Sequence, residues 1–329
     1  MATDIDERID FSDGAPITGS LDVAWNHGTP SGAAGSEPAI QTHRYDEHTV
    51  ILRQSKIVNY EAPFLFLLFG NDRALLLDTG ATEDPDGFPL RAAVDELIAQ
   101  WLQRHPRDEY QLVVAHTHGH GDHVAGDAQF EGRPDTVTVA RDPEAVQAFF
   151  GLDLAADPDR IAGFDLGGRV LEVFASPGHH PSAATFYDPW TAILFSGDTV
   201  IPGRLYAFDF PAFVASLDRM VAFAGTRPVS HVFGCHVEMM KRPGGEYPIG
   251  ADYQPEECAP QMTVAQLIQV QEAARSVVGR QGVHRFDDFV IYNEPNEEDM
   301  NRLIEHGMRE KERIAELRAN SGRPGVSEG

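Results

Sequence analysis

An α/β chain with two sheets covered by helices is the fold class the sequence predicts, and three observations carry it. Strand patterns precede helical patterns in both halves of the chain. No clean βαβαβ series is present, so one parallel sheet is not the expected architecture. The run Ala62-Pro63-Phe64-Leu65-Phe66-Leu67-Leu68-Phe69 is continuously apolar and of strand length, as a strand buried on both faces requires.

Residues 1–46 are rich in Gly, Pro, Ser and Asp with little periodicity, and are expected to form an irregular arm packed across the domain. A catalytic domain is expected over 47–293. It opens with three strands, at Val50-Ile51-Leu52, Phe64 to Phe69 and Ala74 to Leu77, the last closed by Asp78-Thr79-Gly80. Ala93, Val94, Leu97, Ile98 and Trp101 carry helical spacing within Leu90 to Arg104, and Gln111 to Ala115 is a short buried strand. Thr136 to Ala140 reads as a strand, Pro143 to Phe150 as a helix and Val170 to Phe174 as a strand. A hairpin is expected from Ala184–Tyr187 and Ala192–Phe195 around Asp188-Pro189-Trp190. Pro211 to Phe223 is helical, Val229 to Phe233 a strand, Thr263 to Val278 a helix and Phe286 to Tyr292 a last strand. Residues 294–329 form a charged C-terminal helix and tail, with Leu303, Met308, Ile314 and Leu317 as a narrow apolar stripe that covers the domain or supports a dimer contact.

Composition excludes several classes of function. The net charge of −25 opposes nucleic-acid backbones and anionic membranes as partners, which leaves a small-molecule substrate. No apolar run approaches the roughly 18 residues of a membrane span. The acidic N-terminus lacks the basic-then-apolar pattern of a signal peptide, so a cytoplasmic protein is expected. Cys235 and Cys258 are too few for a disulfide framework, and Cys235 reads as a small buried residue.

The chemistry lies in the histidines. Eight of the fourteen fall in four short segments: His116, His118, His120 and His123; His179 and His180; His231; and His236. All but His231, which lies inside the predicted strand Val229 to Phe233, follow a predicted strand. In an extended or tightly turned loop His118 and His120 project to one side and can share a metal, while Asp122 and His123 lie one turn on and can reach a second. Four ligands cannot fill two coordination spheres, so others must join them. His179 follows Gly178 in Ser176-Pro177-Gly178, Asp198 ends a hairpin strand in Ser196-Gly197-Asp198-Thr199, and His236 follows Gly234-Cys235. Imidazole and carboxylate donors suit Zn(II), Mn(II) or Fe(II).

The ordered series Asp78, His118-x-His120-x-Asp122-His123, His179, Asp198 and His236 resembles the five motifs of the metallo-β-lactamase superfamily, over about residues 48 to 292. The resemblance implies the four-layer αβ/βα sandwich and two divalent metal ions, zinc foremost. His118, His120 and His179 would hold one ion and Asp122, His123 and His236 the other. Asp198 would bridge them, and Asp78 would brace the ligand loops without touching metal. It also implies a hydrolase in which the two ions share a water, with Asp198 keeping the ions together and Asp122 able to orient the nucleophile. An aspartate at position 198, where the commonest β-lactamases carry a cysteine, points away from antibiotic hydrolysis. The seven-ligand pattern is similar to glyoxalase II enzymes and lactonases, so an ester, thioester or lactone is the expected substrate. The same core serves phosphodiesterases and alkylsulfatases, and an iron-dependent oxidoreductase resembling persulfide dioxygenases is a further alternative. Ile201 stands where acyl-homoserine lactonases place a tyrosine, and Tyr206 is the candidate substitute. Only 38 positions separate Asp198 from His236, which leaves no room for the added domain of nuclease relatives.

Outside these motifs, Lys241 and Arg242 are a rare adjacent cationic pair that could steer an anionic substrate. His116 and His180 flank ligands and could support them from behind. Tyr60, Glu61, Phe208 and Phe210 could border the site or serve core packing.

Overall fold

The computed structural model describes residues 8–12, 14–30 and 36–321, excepting the side chains of 314–321. In chain order the elements are β1 (Ile40–Asp46), β2 (Thr49–Gln54), β3 (Phe64–Phe69), β4 (Arg73–Leu77), α1 (Leu90–Arg104), β5 (Gln111–Ala115), α2 (Gly121–Val124), β6 (Thr136–Thr138), α3 (Pro143–Phe150), β7 (Ala162–Asp165) and β8 (Val170–Ala175). They continue as β9 (Ala184–Asp188), β10 (Ile193–Gly197), β11 (Arg204–Ala207), α4 (Phe210–Ala224), β12 (His231–Gly234), β13 (Gln261–Met262), α5 (Val264–Ser276), β14 (Gly282–Arg285), β15 (Val290–Asn293) and α6 (Glu297–Ser321).

Two six-stranded sheets face each other, in the orders β1-β2-β3-β4-β5-β6 and β13-β12-β10-β9-β8-β7. Strand β3 shows why its sequence is apolar without alternation. Phe64, Phe66 and Leu68 enter the core between the sheets, where they meet Val173, Phe186, Ile193 and Phe195. Leu65, Leu67 and Phe69 face the other way, onto Leu90, Val94, Ile98 and Trp101 of α1. The second sheet repeats this arrangement: Ile193 and Phe195 point inward, and Leu194 points out to Phe213, Leu217 and Leu267 on α4 and α5. The layers therefore run helix, sheet, sheet, helix. Each enclosed Leu or Phe contributes about 1.5–3 kcal/mol of transfer free energy.

Local signals agree with this packing. The Asp209 carboxylate caps α4 by accepting from Ala212 N at 3.0 Å, with Pro211 in the first turn. Thr263 and Gln266 form a reciprocal capping box on α5.

Three expectations need correction. Residues 1–46 are not irregular throughout, because Ile40–Asp46 pairs antiparallel with β2 as an edge strand. The expected strand from Phe286 starts only at Val290, since Phe286 N bonds back to Phe289 O and closes a turn. A third, three-stranded sheet (β11-β15-β14) was not anticipated; its strand β11 carries the sequence Arg-Leu-Tyr-Ala and pairs with residues far away in the chain. The arm does cross the domain, with Trp25 edge-on to Phe64 and Gly28 bridged to Tyr253. On α6, Leu303 is buried and Met308 exposed, while the side chains of Ile314 and Leu317 lie outside the described residues.

Candidate metal centre

Every proposed ligand sits just past a strand end on one rim of the facing sheets. His118 and His120 follow β5, and α2 carries Asp122 and His123. His179, Asp198 and His236 follow β8, β10 and β12. Two glycines permit the convergence. Gly178 has φ 131°, and a Cβ there would stand 2.4 Å from the Phe213 backbone. Gly197 has φ 54°, with Thr117 Cβ 2.7 Å from where its own Cβ would be.

The seven side chains gather into two adjoining groups, His118-His120-His179 and Asp122-His123-Asp198-His236. In the first, His120 Nδ1 is 3.0 Å from both His118 Nε2 and His179 Nε2. In the second, His236 Nε2 is 3.2 Å from His123 Nε2 and 3.3 Å from Asp122 Oδ2. Asp198 Oδ2 faces both groups, at 3.5 Å from His236 Nε2, 3.6 Å from His123 Nε2 and 3.9 Å from His179 Nε2.

Hydrogen bonds on the far side of each ring fix which nitrogen faces inward. His179 Nδ1 donates to the Tyr206 carbonyl at 2.9 Å and His236 Nδ1 to the Glu61 carbonyl at 3.0 Å. His123 Nδ1 donates to Asp78 Oδ2 at 3.0 Å. Carbonyl and carboxylate oxygens only accept, so the neutral forms of these rings present bare Nε2 lone pairs to the interior. Lone pairs about 3 Å apart repel unless a cation lies among them. Asp198 Oδ1 is also buried with no hydrogen-bond partner. Clustered imidazole lone pairs and an orphaned carboxylate oxygen fit divalent cations of the zinc, manganese or iron type.

The electrostatics agree. Burial and then the neighbouring imidazoles hold His118 well below its ordinary range, and burial takes His179 down to about 4. Burial opposes a charge on His236 too, but Asp198 and Asp122 outweigh it and lift the ring to about 9. On His123 burial likewise loses to Asp198, Asp78 and Asp122, and the value is raised. Burial works against the Asp198 carboxylate, yet the pull of His236 and His123 takes it down to about 2. The second group thus attracts positive charge strongly.

Asp78 lies behind the ligands, enclosed, with φ 69°. Its carboxylate accepts from Thr117 N and Oγ1, from His123 Nδ1 and from Cys235 Sγ. Cys235 is a buried neighbour of that carboxylate and its thiol is raised by burial. His116 and His180 do not touch the ligands by hydrogen bonds. His116 Nε2 meets Asp127 Oδ1 at 2.8 Å, and Asp127 also accepts from Thr79, so this pair ties down the chain just past α2. His180 Nδ1 bonds Ser182, and the ring sits edge-on to His120 with centroids 4.7 Å apart.

A cleft of about 200 Å³ leads to the centre, walled beyond the ligands by Glu61, Arg204, Tyr206, Phe208, Glu238 and Met300, with Ile201 and Ile249. Tyr206 is there, as its candidacy required. Lys241 is not: it faces a separate cleft against the N-terminal arm. Arg242 is also absent from the walls of the metal cleft. Phe210 belongs to the core and Phe208 to the cleft. Arg204, Glu238, Ile249 and Met300 went unforeseen. Glu238 had one legible signal, its spacing of two from His236.

Such a fold, with paired histidine-carboxylate groups along one rim of two facing sheets, defines a metal-binding αβ/βα protein. Residues 62–232 match the sequence profile of the metallo-beta-lactamase superfamily, just over half of the chain, and the chain belongs to that family. His236 lies beyond the matched segment and is placed by the structure alone. Among curated relatives, a hydroxyacylglutathione hydrolase of Rhizobium meliloti (strain 1021) is 30% identical over 166 residues, which is 48% of this chain and 60% of that protein. One from Bartonella quintana (strain Toulouse) is 35% identical over 94 residues, 27% of this chain and 36% of that protein. The chain therefore spans about half the length of the curated relatives it matches. A metallo-beta-lactamase from Pontibacter korlensis is similar over 72% of this chain and 99% of its own, at 16% identity and a TM-score of 0.47. Among the described residues no helix is long and apolar enough to cross a membrane.

Proposed function

We propose that this chain is a dinuclear metal-dependent hydrolase that cleaves an ester, thioester or lactone in a small molecule. The carrying observation is Asp198 Oδ2, which faces both ligand groups and so suits a shared ligand of two ions, zinc foremost. Divalent ions held there would supply Lewis acidity and a lowered pKa for water.

The chain's own groups do the remainder. Asp198 holds the two groups in register, and Asp122, which lines the cleft, orients the attacking water. Tyr206 stays protonated, because burial and then the nearby Glu238 raise its phenol, so it serves as a neutral donor to a substrate oxygen. The curated relatives named as hydroxyacylglutathione hydrolases support acyl transfer to water over phosphate or sulfate ester cleavage. A net charge of −25 favours small molecules over nucleic acid.

Elemental analysis of the purified protein, paired with chromogenic esters, lactones, thioesters and phosphodiesters, tests the proposal. Two zinc ions per chain and turnover of an acyl substrate are expected. A single iron with no hydrolysis would replace this reading with an oxidoreductase.

A further inference from the structure

Beyond the metal-ligand groups, the side chains walling the cleft do not suit an anionic substrate. Arg204 is the one lysine or arginine among the residues walling it. It is enclosed and committed to groups of its own chain: Nη1 lies 2.5 Å from Glu238 Oε1, Nη2 reaches the Tyr247 carbonyl, and Nε, buried without a hydrogen bond, faces Glu246 Oε2 at 3.4 Å. Glu238 is further engaged by the Arg204 main-chain N–H at 2.6 Å. Arg53 and Lys56 are buried and paired with Glu257, and neither is among the cleft walls, although Lys56 Nζ donates to the Tyr60 carbonyl at 3.2 Å. Lys241 faces the other cleft.

Glu61 is different. Its carboxyl lies near Tyr60, Asp122, Glu238 and His236, with no lysine or arginine in salt-bridge range among the described residues. Its backbone is held firmly, with its N–H donating to Asn59 Oδ1 at 3.0 Å and its carbonyl accepting from His236. The chain thus keeps a carboxyl group at the cleft wall with no lysine or arginine beside it; burial works against its charge, and His236 is the one basic group that favours it. Across the same cleft, Tyr206 and Phe208 lie with ring planes 8° apart, and Phe208 is 51% exposed. A carboxylate and an exposed aromatic face in one cleft suit an organic cation.

We propose that the substrate carries an ammonium or quaternary ammonium group beyond its scissile acyl bond, received by Glu61 and the Tyr206–Phe208 face. This rests on the hydrolase reading for the bond but not for the recognition. An acyl-glutathione carries one ammonium but also two carboxylates, for which this wall offers only the Glu238-paired Arg204, and is a poorer fit than a substrate whose sole charge is the cation.

The test uses zinc-loaded full-length protein and three matched non-hydrolysable amides ending in trimethylammonium, tert-butyl or carboxylate. Calorimetry should show the cation binding roughly tenfold more tightly than its neutral isostere, the scale of one desolvated cation–aromatic contact, and the carboxylate binding weakest. Glu61→Gln should bring the cation-to-neutral ratio towards one, with two zinc ions still bound as proof that the His236 brace survives. Phe208→Leu, at an exposed position, should lower the same ratio several-fold. Equal or tighter binding of the neutral or anionic amide overturns the proposal. The matching esters separate the two readings. Turnover without charge preference leaves the hydrolase standing and removes the cation site; charge-selective amide binding without ester turnover does the reverse.

Discussion

Asp78 Oδ2 lies 3.0 Å from His123 Nδ1, and both side chains are completely enclosed. That contact decides which nitrogen of His123 faces the second ligand group. Asp78 reaches it from a left-handed backbone position, φ 69°, a conformation that costs a non-glycine residue about 1–3 kcal/mol unless the surroundings enforce it. Four donors on one carboxylate supply the enforcement.

Asp78→Asn should therefore weaken metal binding without removing a ligand. An amide cannot accept from Thr117, His123 and Cys235 together, so the His123 ring loses its fixed orientation. Affinity at the Asp122-His123-His236 group should fall by roughly 10–100-fold, with a smaller effect at the His118-His120-His179 group. A chelator-competition titration checks this; equal losses at both groups would reject the assigned role.

Asp198→Asn should behave differently, since its carboxylate faces both groups. Metal content should fall at both positions and acyl turnover should be lost. Loss of one ion alone would make Asp198 a terminal ligand.

The gathering of the seven candidate side chains was legible because each has a type and a spacing that strand ends dictate. His118 and His120 alternate past β5, and His179, Asp198 and His236 each follow a glycine at or just past a strand end. The apolar strands were legible for the same local reason. What stayed hidden depends on distant partners. Ile40–Asp46 has a mixed burial pattern and is a strand because β2 lies beside it. Arg204–Ala207 is one because Val290–Asn293 pairs with it. Lys241 and Arg242 looked like substrate-steering cations from sequence, but the loop after His236 turns Lys241 towards the N-terminal arm. Met300 reaches the cleft from α6, which no local pattern announces.

Gly178→Ala should damage the first group through the backbone. Its φ of 131° is closed to side-chain-bearing residues, and a Cβ would sit 2.4 Å from Phe213 N and Cα, which open α4 and cannot swing aside. A destabilisation above about 2 kcal/mol is expected from strain and collision together. Denaturant unfolding measures it, and metal analysis should show the ion at His179 lost first. An unchanged midpoint would mean that the turn rearranges freely.

His48 is buried under Trp101, whose Nε1 donates to His48 Nδ1 at 3.1 Å. Burial and then Arg169 take its pKa down from 6.5 to about 4. Between those values the unfolded chain binds a proton that the folded chain refuses, so this group's contribution to stability is complete above about 6.5 and is lost as pH falls towards 4. His48→Gln keeps an acceptor for the indole N–H but cannot titrate. Apart from its general effect on stability, it should flatten the pH dependence between 6.5 and 4, read as the denaturant midpoint at fixed pH steps. A wild-type slope retained in full would assign the acid sensitivity to the ligand histidines, whose protonation also competes with metal.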